Sequence, residues 1–352
     1  MLRVLAHPAS VTGLGALLIV LLMACFPHQT LESSLRGLSI WWQVLFPALF
    51  PFFVISELML GFGIVHFFGK LLDPFMRPMF RLPGIGSFVV AMGYVSGYPV
   101  GAKLTAQLWE QRLVNRAEGE RLVAFTTTSD PIFLIGAVSV GFFHNAAIAP
   151  LLAAAHYGGA FVIGLLMRFH DRHAPLSEPV RPLSNPTRNR LSVALKAMHD
   201  ARLLDGRELG RLLQDAIQSA LRLMLVIGGL VVFFSVVIEM LNRIGIVEGL
   251  SDVLRLLFQW FGLPAGLTDA IIFGLFEVTL GAKAAGNADA HLMHQAAIAA
   301  WVLSWGGLSV HAQVVSLISR TDMRYAPLLF ARFAHGLIAI ALVYLLWGWL
   351  AP

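Results

Sequence analysis

The chain has 352 residues, of which 57% are hydrophobic and 13% are charged, and its formal net charge is +5. Soluble domains have about 45–50% apolar and about 25% charged residues, whereas apolar runs near the bilayer-spanning length of about 20 residues recur along this chain. The composition excludes an ordinary soluble enzyme and indicates a polytopic membrane protein. Because the basic residues lie mainly between apolar runs, they indicate topology rather than nucleic-acid binding.

The first apolar run extends from Val11 to Phe26 and contains the single cysteine, Cys25. One cysteine excludes an intrachain disulfide and a zinc-type cysteine cluster. The residues before Cys25 are similar to a lipoprotein cleavage site, but Arg3 is the only basic residue ahead of the run, and Met23 fits that motif poorly. We interpret residues 1–36 as an N-terminal membrane helix. The sequence leaves open whether residues 1–24 are cleaved.

The rest of the chain alternates predicted spans with shorter, broken segments. Spans are predicted at 42–60, 122–143, 146–167, 216–241, 295–318 and 325–350. Segments 64–80 and 246–261 are amphipathic and predict helices along the interface. Segments 84–109 and 267–283 are apolar but broken, which predicts re-entrant hairpins buried in protein. Residues 169–210 hold seven Lys or Arg and several prolines, which predicts a cytoplasmic linker.

One pattern occurs twice in the same order, with offsets between 180 and 182 residues. The first copy is Glu57, Gly63-Ile64-Val65, Phe80-Arg81-Leu82-Pro83 and Gly101-Ala102-Lys103, and the second is Glu239, Gly245-Ile246-Val247, Phe261-Gly262-Leu263-Pro264 and Gly281-Ala282-Lys283. A tandem repeat in a strongly apolar chain is typical of transporter folds, whose sites lie where the repeats meet. The predicted repeats are residues 37–168 and 211–352.

Charge indicates that the two repeats are inverted. The first hairpin is flanked by Lys70, Arg77, Arg81, Arg112, Arg116 and Arg121, whereas the second is flanked by Arg243 and Arg255, which Glu248 and Asp252 offset. Cytoplasmic segments carry the excess of Lys and Arg, so the hairpins should enter from opposite sides. We predict an all-α polytopic membrane fold of seven spans and two re-entrant hairpins, with a cytoplasmic amino terminus and an external carboxyl terminus.

The broken segments carry the candidate solute-binding side chains. Half-helix ends present free N–H groups to a polar or anionic solute, and unwound backbone with hydroxyl and amide groups can coordinate one. The hairpins supply Ser96, Tyr98, Lys103, Glu277, Thr279 and Lys283, and the polar breaks in two spans supply Thr128, Ser129, Ser309 and Gln313. The alternative is structural: small residues allow close helix packing, lysines reach the headgroups, and hydroxyls satisfy the backbone at a kink.

Glu57 and Glu239 lie in or near predicted spans, where an ionisable group is costly and usually pairs or faces a cavity. Each repeat therefore holds one Glu and one Lys that could form an ion pair or a coupling site. His291 and His294 are three residues apart on a predicted loop, which is weak support for a metal site. The sequence contains no catalytic triad order, phosphate loop or paired acid motif, so we expect no enzyme activity, no cofactor and no bound metal.

Several segments resemble the family of the sporulation integral membrane protein YlbJ, and the resemblance extends over residues 10–350. The residues that carry it are Phe46-Pro47-Ala48-Leu49-Phe50-Pro51-Phe52, Ser96-Gly97-Tyr98-Pro99-Val100-Gly101-Ala102-Lys103, Pro131-Ile132-Phe133, Glu277-Val278-Thr279-Leu280-Gly281 and Ser304-Trp305-Gly306-Gly307-Leu308-Ser309-Val310-His311. That family is grouped with proteins bearing the nucleoside-recognition Gate domain, which include concentrative nucleoside transporters and the membrane part of FeoB. The resemblance implies a plasma-membrane protein of spore cortex formation with two Gate-type repeats, without implying that nucleoside is the solute.

Three hypotheses follow. The first is a transporter-like protein that binds or moves a small polar or anionic solute between the repeats. The second is a non-transporting scaffold for spore-envelope assembly, in which the 169–210 linker docks assembly proteins. The third is a divalent cation permease, with Asp130, Glu277 and His311 as the candidate ligands. All three place the chain in the lipid bilayer, and the sequence leaves a homo-oligomer open.

Overall fold

The computed structural model describes residues 8–177, 190–260 and 262–350, and these residues form helices and connecting loops without a strand. The predicted all-α class is therefore confirmed. Residues 178–189, which include Pro179, Pro182 and Pro186 of the linker, lie outside the described residues, as does Phe261 of the repeated pattern. The linker residues after this gap form a helix, Arg190–Asp205.

The first half of the chain contains eight described α-helices and three π-helical segments. They are α1 Pro8–Cys25, α2 Pro27–Ile40, α3 Phe46–Gly61, α4 Ile64–Phe75, α5 Gly86–Ser96, α6 Tyr98–Glu110, α7 Arg116–Thr126 and α8 Ala149–Met167, with π-helical segments at Trp41–Leu45, Met76–Phe80 and Phe133–Phe142. Helices α2 and α3 form one continuous run through Trp41–Leu45. The prolines at 47 and 51 therefore do not interrupt this span.

The linker helix is α9 Arg190–Asp205. The second half follows a similar order after it, with helices α10 Leu209–Arg243, α11 Ile246–Trp260, α12 Thr268–Phe276, α13 Val278–Gly286, α14 Leu292–Trp305, α15 Gly307–Ile318 and α16 Tyr325–Leu350. Each half thus contains a long helix, a short amphipathic helix, a hairpin of two short helices, a broken helix and a final long helix. The opposite orientation of the two halves stays a prediction.

Five helical runs among the described residues are long and apolar enough to cross a membrane. They are Pro27–Met59, Ala146–Met167, Leu209–Arg243, Leu292–Ile318 and Tyr325–Leu350. Two of the seven predicted spans take another form. The first contains the shorter apolar helix Gly13–Cys25, and the predicted span 122–143 divides into α7 and the π-helical segment Phe133–Phe142.

The backbone explains where the short helices end. Gly97 separates α5 from α6 with φ 85° and ψ −174°, a conformation that is open essentially only to glycine. Pro99 lies in the first turn of α6, where its missing N–H costs no helical hydrogen bond. In the second half, Gly306 and Gly307 both have positive φ, at 86° and 76°. Glycines in the local sequence therefore determine where the first hairpin turns and where the broken helix of the second half is interrupted.

Close packing brings the first hairpin against the end of α7. A Cβ atom on Gly101 would lie 2.6 Å from the hydroxyl oxygen of Thr126, so no larger residue fits there without movement. Gly101 thus allows close helix packing, which is the structural role that the sequence analysis gave as the alternative to solute binding. This contact places the tip at Gly97 beside the break that follows α7.

The linker helix α9 packs against α4 rather than standing apart from the helical bundle. At its end, Asp205 accepts hydrogen bonds from Arg207, over 2.6 Å between Oδ2 and Nη2, and Arg207 also pairs with Asp215 on α10 over 3.0 Å. These ion pairs attach the linker to the start of α10.

Candidate functional site

The two hairpin tips and the two broken helices meet around one small cavity of about 70 Å³. Its polar lining comes from all four of these places, and an apolar wall comes from α3 and α10. The polar residues that line it are Ser96, Tyr98, Asp130, Glu277, Thr279, Ser309 and Gln313. The structure therefore brings together six of the predicted solute-binding residues, and it adds Asp130.

Two buried carboxylates cap the half-helices at this cavity. Asp130 is 7% exposed, and its Oδ1 accepts hydrogen bonds from the N–H groups of Ile132 and Phe133, over 3.0 and 2.8 Å. Glu277 is 4% exposed, and its Oε2 accepts from the N–H of Leu280 over 2.9 Å. A carboxylate at the N-terminal end of a helix is stabilised by the free N–H groups and the helix dipole. We expected these ends to face an anionic solute, but the chain's own carboxylates occupy them.

The hydroxyl groups at the cavity differ in whether they have partners. Thr279 Oγ1 donates to Glu277 Oε1 over 3.2 Å, and the phenol of Tyr98 donates to the carbonyl of Leu303 over 2.8 Å. Ser96 Oγ is buried and has no hydrogen-bond partner among the described residues. A buried hydroxyl without a partner costs about 1–3 kcal/mol, so this atom is suited to a ligand that supplies one.

Thr128 and Ser129 do not line the cavity, which corrects their predicted role. Both are fully buried behind it. The N–H of Ser129 donates to His156 Nε2 over 3.0 Å, and its carbonyl accepts from the hydroxyl of Tyr157 over 3.0 Å. Thr128 Oγ1 donates to the carbonyl of Gly93 over 3.4 Å. These contacts satisfy the unwound backbone, so the two residues hold the break in shape.

The two repeated lysines lie outside the cavity, which corrects the prediction that both attract solute charge there. Lys103 is exposed on α6, because it follows the cavity-lining Tyr98 by five residues and the 3.6-residue period turns it away. Lys283 lies in a separate groove between α2, α10 and the second hairpin. Neither ammonium group belongs to the candidate solute site.

The two glutamates pair with residues other than the repeated lysines. Glu57 accepts a hydrogen bond from Ser219 Oγ over 2.7 Å. Glu239 forms ion pairs with Arg36 over 2.8 Å and with Arg243 over 2.9 Å. The proposed Glu–Lys pair within each repeat is therefore wrong, because helix packing brings other partners closer.

A buried cation that is not among the predicted site residues joins the two broken helices behind the cavity. Arg332 on α16 is 1% exposed, donates from Nη1 to the carbonyl of Thr127, and donates from Nη2 to the carbonyl of Leu303 over 3.4 Å. These carbonyls lie near the C-terminal ends of α7 and α14, where a positive charge is favourable. A charged residue inside the predicted span 325–350 was the available signal.

Two buried histidines continue this polar layer. The rings of His156 and His335 stack with centroids 5.0 Å apart, and His335 Nε2 lies 2.8 Å from the carbonyl of His156. His156 Nδ1 lies 3.0 Å from Ser304 Oγ. The layer thus connects α8, α14 and α16 through side chains inside predicted spans.

The candidate ligands of the permease hypothesis do not converge. Asp130 and Glu277 line the cavity, whereas His311 lies near the carbonyl of Trp305 and the hydroxyl of Tyr325, with distances of 3.2 and 2.8 Å to its two ring nitrogens. The described part of the chain holds no group of three His, Cys, Asp or Glu side chains arranged to bind a metal ion.

Comparison with known proteins identifies the family. The model of the Gate family, described as nucleoside recognition, matches residues 42–195 and 224–344. The sporulation integral membrane protein YlbJ of Bacillus subtilis (strain 168) is 44% identical over 321 residues, covering 91% of this chain and 78% of that protein. The resemblance found in the sequence motifs is therefore confirmed.

Solved transporter structures share the fold at low sequence identity. CNTnw in an inward-facing, substrate-bound state superposes with a TM-score of 0.53 and 13% identity, covering 97% of this chain and 87% of that one. A doubly substituted CNTnw in an outward-facing state gives a TM-score of 0.54 and 15% identity, over 98% and 88% of the two chains. Since the family model covers most of the chain and the identity to YlbJ is high, the chain belongs to the YlbJ family of Gate-domain integral membrane proteins.

Proposed function

We propose that this transporter-like membrane protein binds a small polar solute in the cavity between the hairpin tips and the broken helices. The observation that carries the proposal is the unpartnered hydroxyl of Ser96, buried at the cavity that Asp130 and Glu277 also line. Ligand sites are concave, with a few placed polar groups on a mainly apolar lining. The cavity has this composition and lies where four chain breaks meet.

The lining favours a solute that donates hydrogen bonds. Its acidic members are Asp130 and Glu277, and no Lys or Arg is among the described residues that line it. A carboxylate accepts hydrogen bonds when ionised, so hydroxyl or amine groups of a neutral or cationic solute match it better than an anion does. Polyols and nucleosides have such groups. Of the two solute classes predicted from the sequence, polar and anionic, the lining favours the polar one.

The volume of the cavity implies that solute entry needs movement. About 70 Å³ holds only a few water molecules, whereas sites for drug-sized ligands have about 300–1,000 Å³. The elements that close the cavity are the tip at Gly97 and the tip at Glu277. Separation of these tips from the broken helices would open the site.

We propose that solute binding serves spore formation, including the cortex, because the Bacillus subtilis relative is named a sporulation integral membrane protein. We also propose the inverted arrangement of the repeats, with the amino terminus in the cytoplasm and the carboxyl terminus outside. Reporter fusions at the two ends test this topology. Equal reporter activity at both ends would contradict the odd number of spans.

Thermal unfolding of the detergent-purified protein tests the solute site. Nucleosides, polyols, small carboxylates and divalent metals are added to the parent, to Glu277→Gln and to the control Lys103→Gln. A ligand at 100 times its dissociation constant stabilises by about 2.7 kcal/mol. We expect a shift with a hydroxyl-rich or amine-bearing solute that Glu277→Gln abolishes and Lys103→Gln retains. A shift that survives in Glu277→Gln would move the site away from this cavity.

Sporulating cells separate this function from the scaffold alternative. We expect Glu277→Gln to reduce sporulation while the protein still accumulates in the membrane, because the change is nearly isosteric. Deletion of residues 175–186 shortens the linker and removes no residue that lines the cavity. Normal sporulation with Glu277→Gln, together with failure after the deletion, would favour the scaffold.

A further inference from the structure

A second and larger groove, of about 690 Å³, lies between α2, α10 and the hairpin of α12 and α13. It shares no lining residue with the solute cavity. Residues that define it are Leu35, Arg36, Ile238, Glu239, Phe273 and Lys283. The groove therefore contains Glu239 and Lys283, which belong to the repeated sequence pattern but do not line the solute cavity.

One wall of the groove is apolar and faces outward. Leu35 lines the groove and is 54% exposed, and Leu38, which lies further from Pro27 on the same helix, is also exposed. These residues belong to a helical run that is long and apolar enough to cross a membrane. In a bilayer this face contacts hydrocarbon, so the groove opens sideways toward the lipid.

The other end of the groove is polar and carries one unpaired positive charge. Arg36 and Arg243 share the single carboxylate of Glu239, over 2.8 and 2.9 Å. Lys283 is half-buried in the groove, and its ammonium has no ion-pair or hydrogen-bond partner among the described residues. Glu32, the other acidic residue in the lining, lies 3.8 Å from His28. The lining therefore holds two cations and two carboxylates. Arg36 and, from outside the lining, Arg243 already use the carboxylate of Glu239, so Lys283 is left without a counter-ion among the described residues.

The position of this charge along the helices matches the level of lipid headgroups. Glu239 and Arg243 lie in the last turns of the 35-residue helix α10, and the ion pair with Glu239 holds the guanidinium of Arg36 at the same end. A cation in a bilayer-facing groove is costly unless an anion pairs with it, and basic pockets between transmembrane helices bind anionic headgroups.

We propose that this groove is a binding site for an anionic phospholipid. Its phosphate contacts Lys283 and Arg36, and an acyl chain lies along Leu35, Ile238 and Phe273. A soluble anion would use the cationic end but would gain nothing from the apolar wall or from the opening toward the bilayer. The proposal does not depend on the solute proposed for the other cavity.

Lipid-dependent thermal unfolding of the full chain in mixed micelles tests the proposal. Phosphatidylglycerol, phosphatidylcholine and soluble glycerol phosphate are each titrated into the parent, Lys283→Gln, Lys283→Arg and the matched control Lys103→Gln. One basic residue near a membrane contributes about 1 kcal/mol toward anionic lipid, or roughly fivefold in affinity. We expect Lys283→Gln to need about fivefold more phosphatidylglycerol for half of the shift, while Lys283→Arg and Lys103→Gln behave like the parent.

Three results would overturn the assignment. They are equal shifts with phosphatidylcholine and phosphatidylglycerol, equal responses of Lys283→Gln and Lys103→Gln, and a full shift with glycerol phosphate alone, which would indicate a small-anion site. If Lys283→Gln fails to accumulate, Leu35→Trp fills the mouth of the groove without changing its charge. An unchanged phosphatidylglycerol response in Leu35→Trp would also overturn it. The response of Glu277→Gln to phosphatidylglycerol should match that of the parent. The lipid proposal can therefore be tested separately from the solute proposal.

Discussion

Tyr98 at the first hairpin donates a hydrogen bond from its hydroxyl to the carbonyl of Leu303, over 2.8 Å. The two residues are 205 positions apart in the chain. Arg332 donates to the same carbonyl and also to that of Thr127. One carbonyl near the end of α14 thus links the first hairpin, the second broken helix and the last long helix.

Arg332 should be a main contributor to the stability of this arrangement. Replacing it with Met in Arg332→Met leaves the carbonyls of Thr127 and Leu303 buried without this donor, and an unsatisfied buried acceptor costs about 1–3 kcal/mol. We expect a loss of about 2–4 kcal/mol, measured by thermal unfolding in detergent. The exposed Arg320 provides the control, and Arg320→Met should leave the midpoint nearly unchanged. Equal midpoints for the two variants would show that Arg332 does not hold the breaks.

Ser96 should show opposite effects on stability and on solute binding. Its buried hydroxyl has no partner, so Ser96→Ala should leave the solute-free protein as stable as the parent or more stable by up to about 1 kcal/mol. The same change should weaken the response to solute. Ser139 is a matched control, because its buried hydroxyl donates to the carbonyl of Leu134 over 2.9 Å. Ser139→Ala should lower the free energy of unfolding by about 1 kcal/mol. A similar loss in Ser96→Ala would show that the Ser96 hydroxyl already has a partner in the solute-free protein.

Gly307 and Gly245 allow backbone strain to be separated from close packing. Both have φ of 76°, a conformation that costs roughly 1–2 kcal/mol per residue for other L-amino acids. A Cβ on Gly307 would lie 2.9 Å from the backbone of Glu277, whereas a Cβ on Gly245 meets nothing within 4 Å.

Gly245→Ala should therefore lose only the strain energy in thermal unfolding. Gly307→Ala should lose about 1–3 kcal/mol more, because overpacking displaces the second hairpin. Gly307→Ala should also abolish the solute response. Equal losses in the two variants would mean that α15 and the Glu277 tip are not in tight contact.

Asp205 gives a pH dependence outside the membrane spans. The hydrogen bonds from Arg207 lower the pKa of Asp205 to about 2. Because this folded-state pKa lies below the unfolded value of about 3.9, the contribution is present above about pH 4 and is lost as the pH falls toward 2. The pair is partly exposed and screened, so we expect less than about 1 kcal/mol. The unfolding midpoints of the parent and Asp205→Asn should differ at pH 6, and this difference should become smaller at pH 2.5.

Arg207→Gln removes the hydrogen-bond donor of Asp205. In this background, adding Asp205→Asn should change the unfolding midpoint little even at pH 6. High salt at pH 6 should also reduce the difference between the parent and Asp205→Asn, because exposed charges are screened. A difference that persists unchanged at pH 2.5 would show that ionisation of Asp205 does not stabilise the linker.

Local sequence determined the membrane class and the places where the helices break. Apolar runs specify helices in a bilayer because backbone groups must pair within the segment. Gly97, Gly306 and Gly307 specify breaks because their backbone conformations are open to few other residues. For these reasons the two hairpins and the two polar breaks could be predicted, together with Ser96, Tyr98, Glu277, Thr279, Ser309 and Gln313 as cavity residues.

Only the tertiary structure decided which polar groups reach the cavity and which partners they have. Lys103 and Lys283 repeat at matching positions, yet Lys103 is exposed and Lys283 lies in the groove between α2, α10 and the second hairpin. Arg332 contacts carbonyls that are 205 and 29 positions away in the chain. The rotation of a helix about its axis and the choice of its neighbours depend on packing between distant segments, and no local pattern in this sequence encodes them.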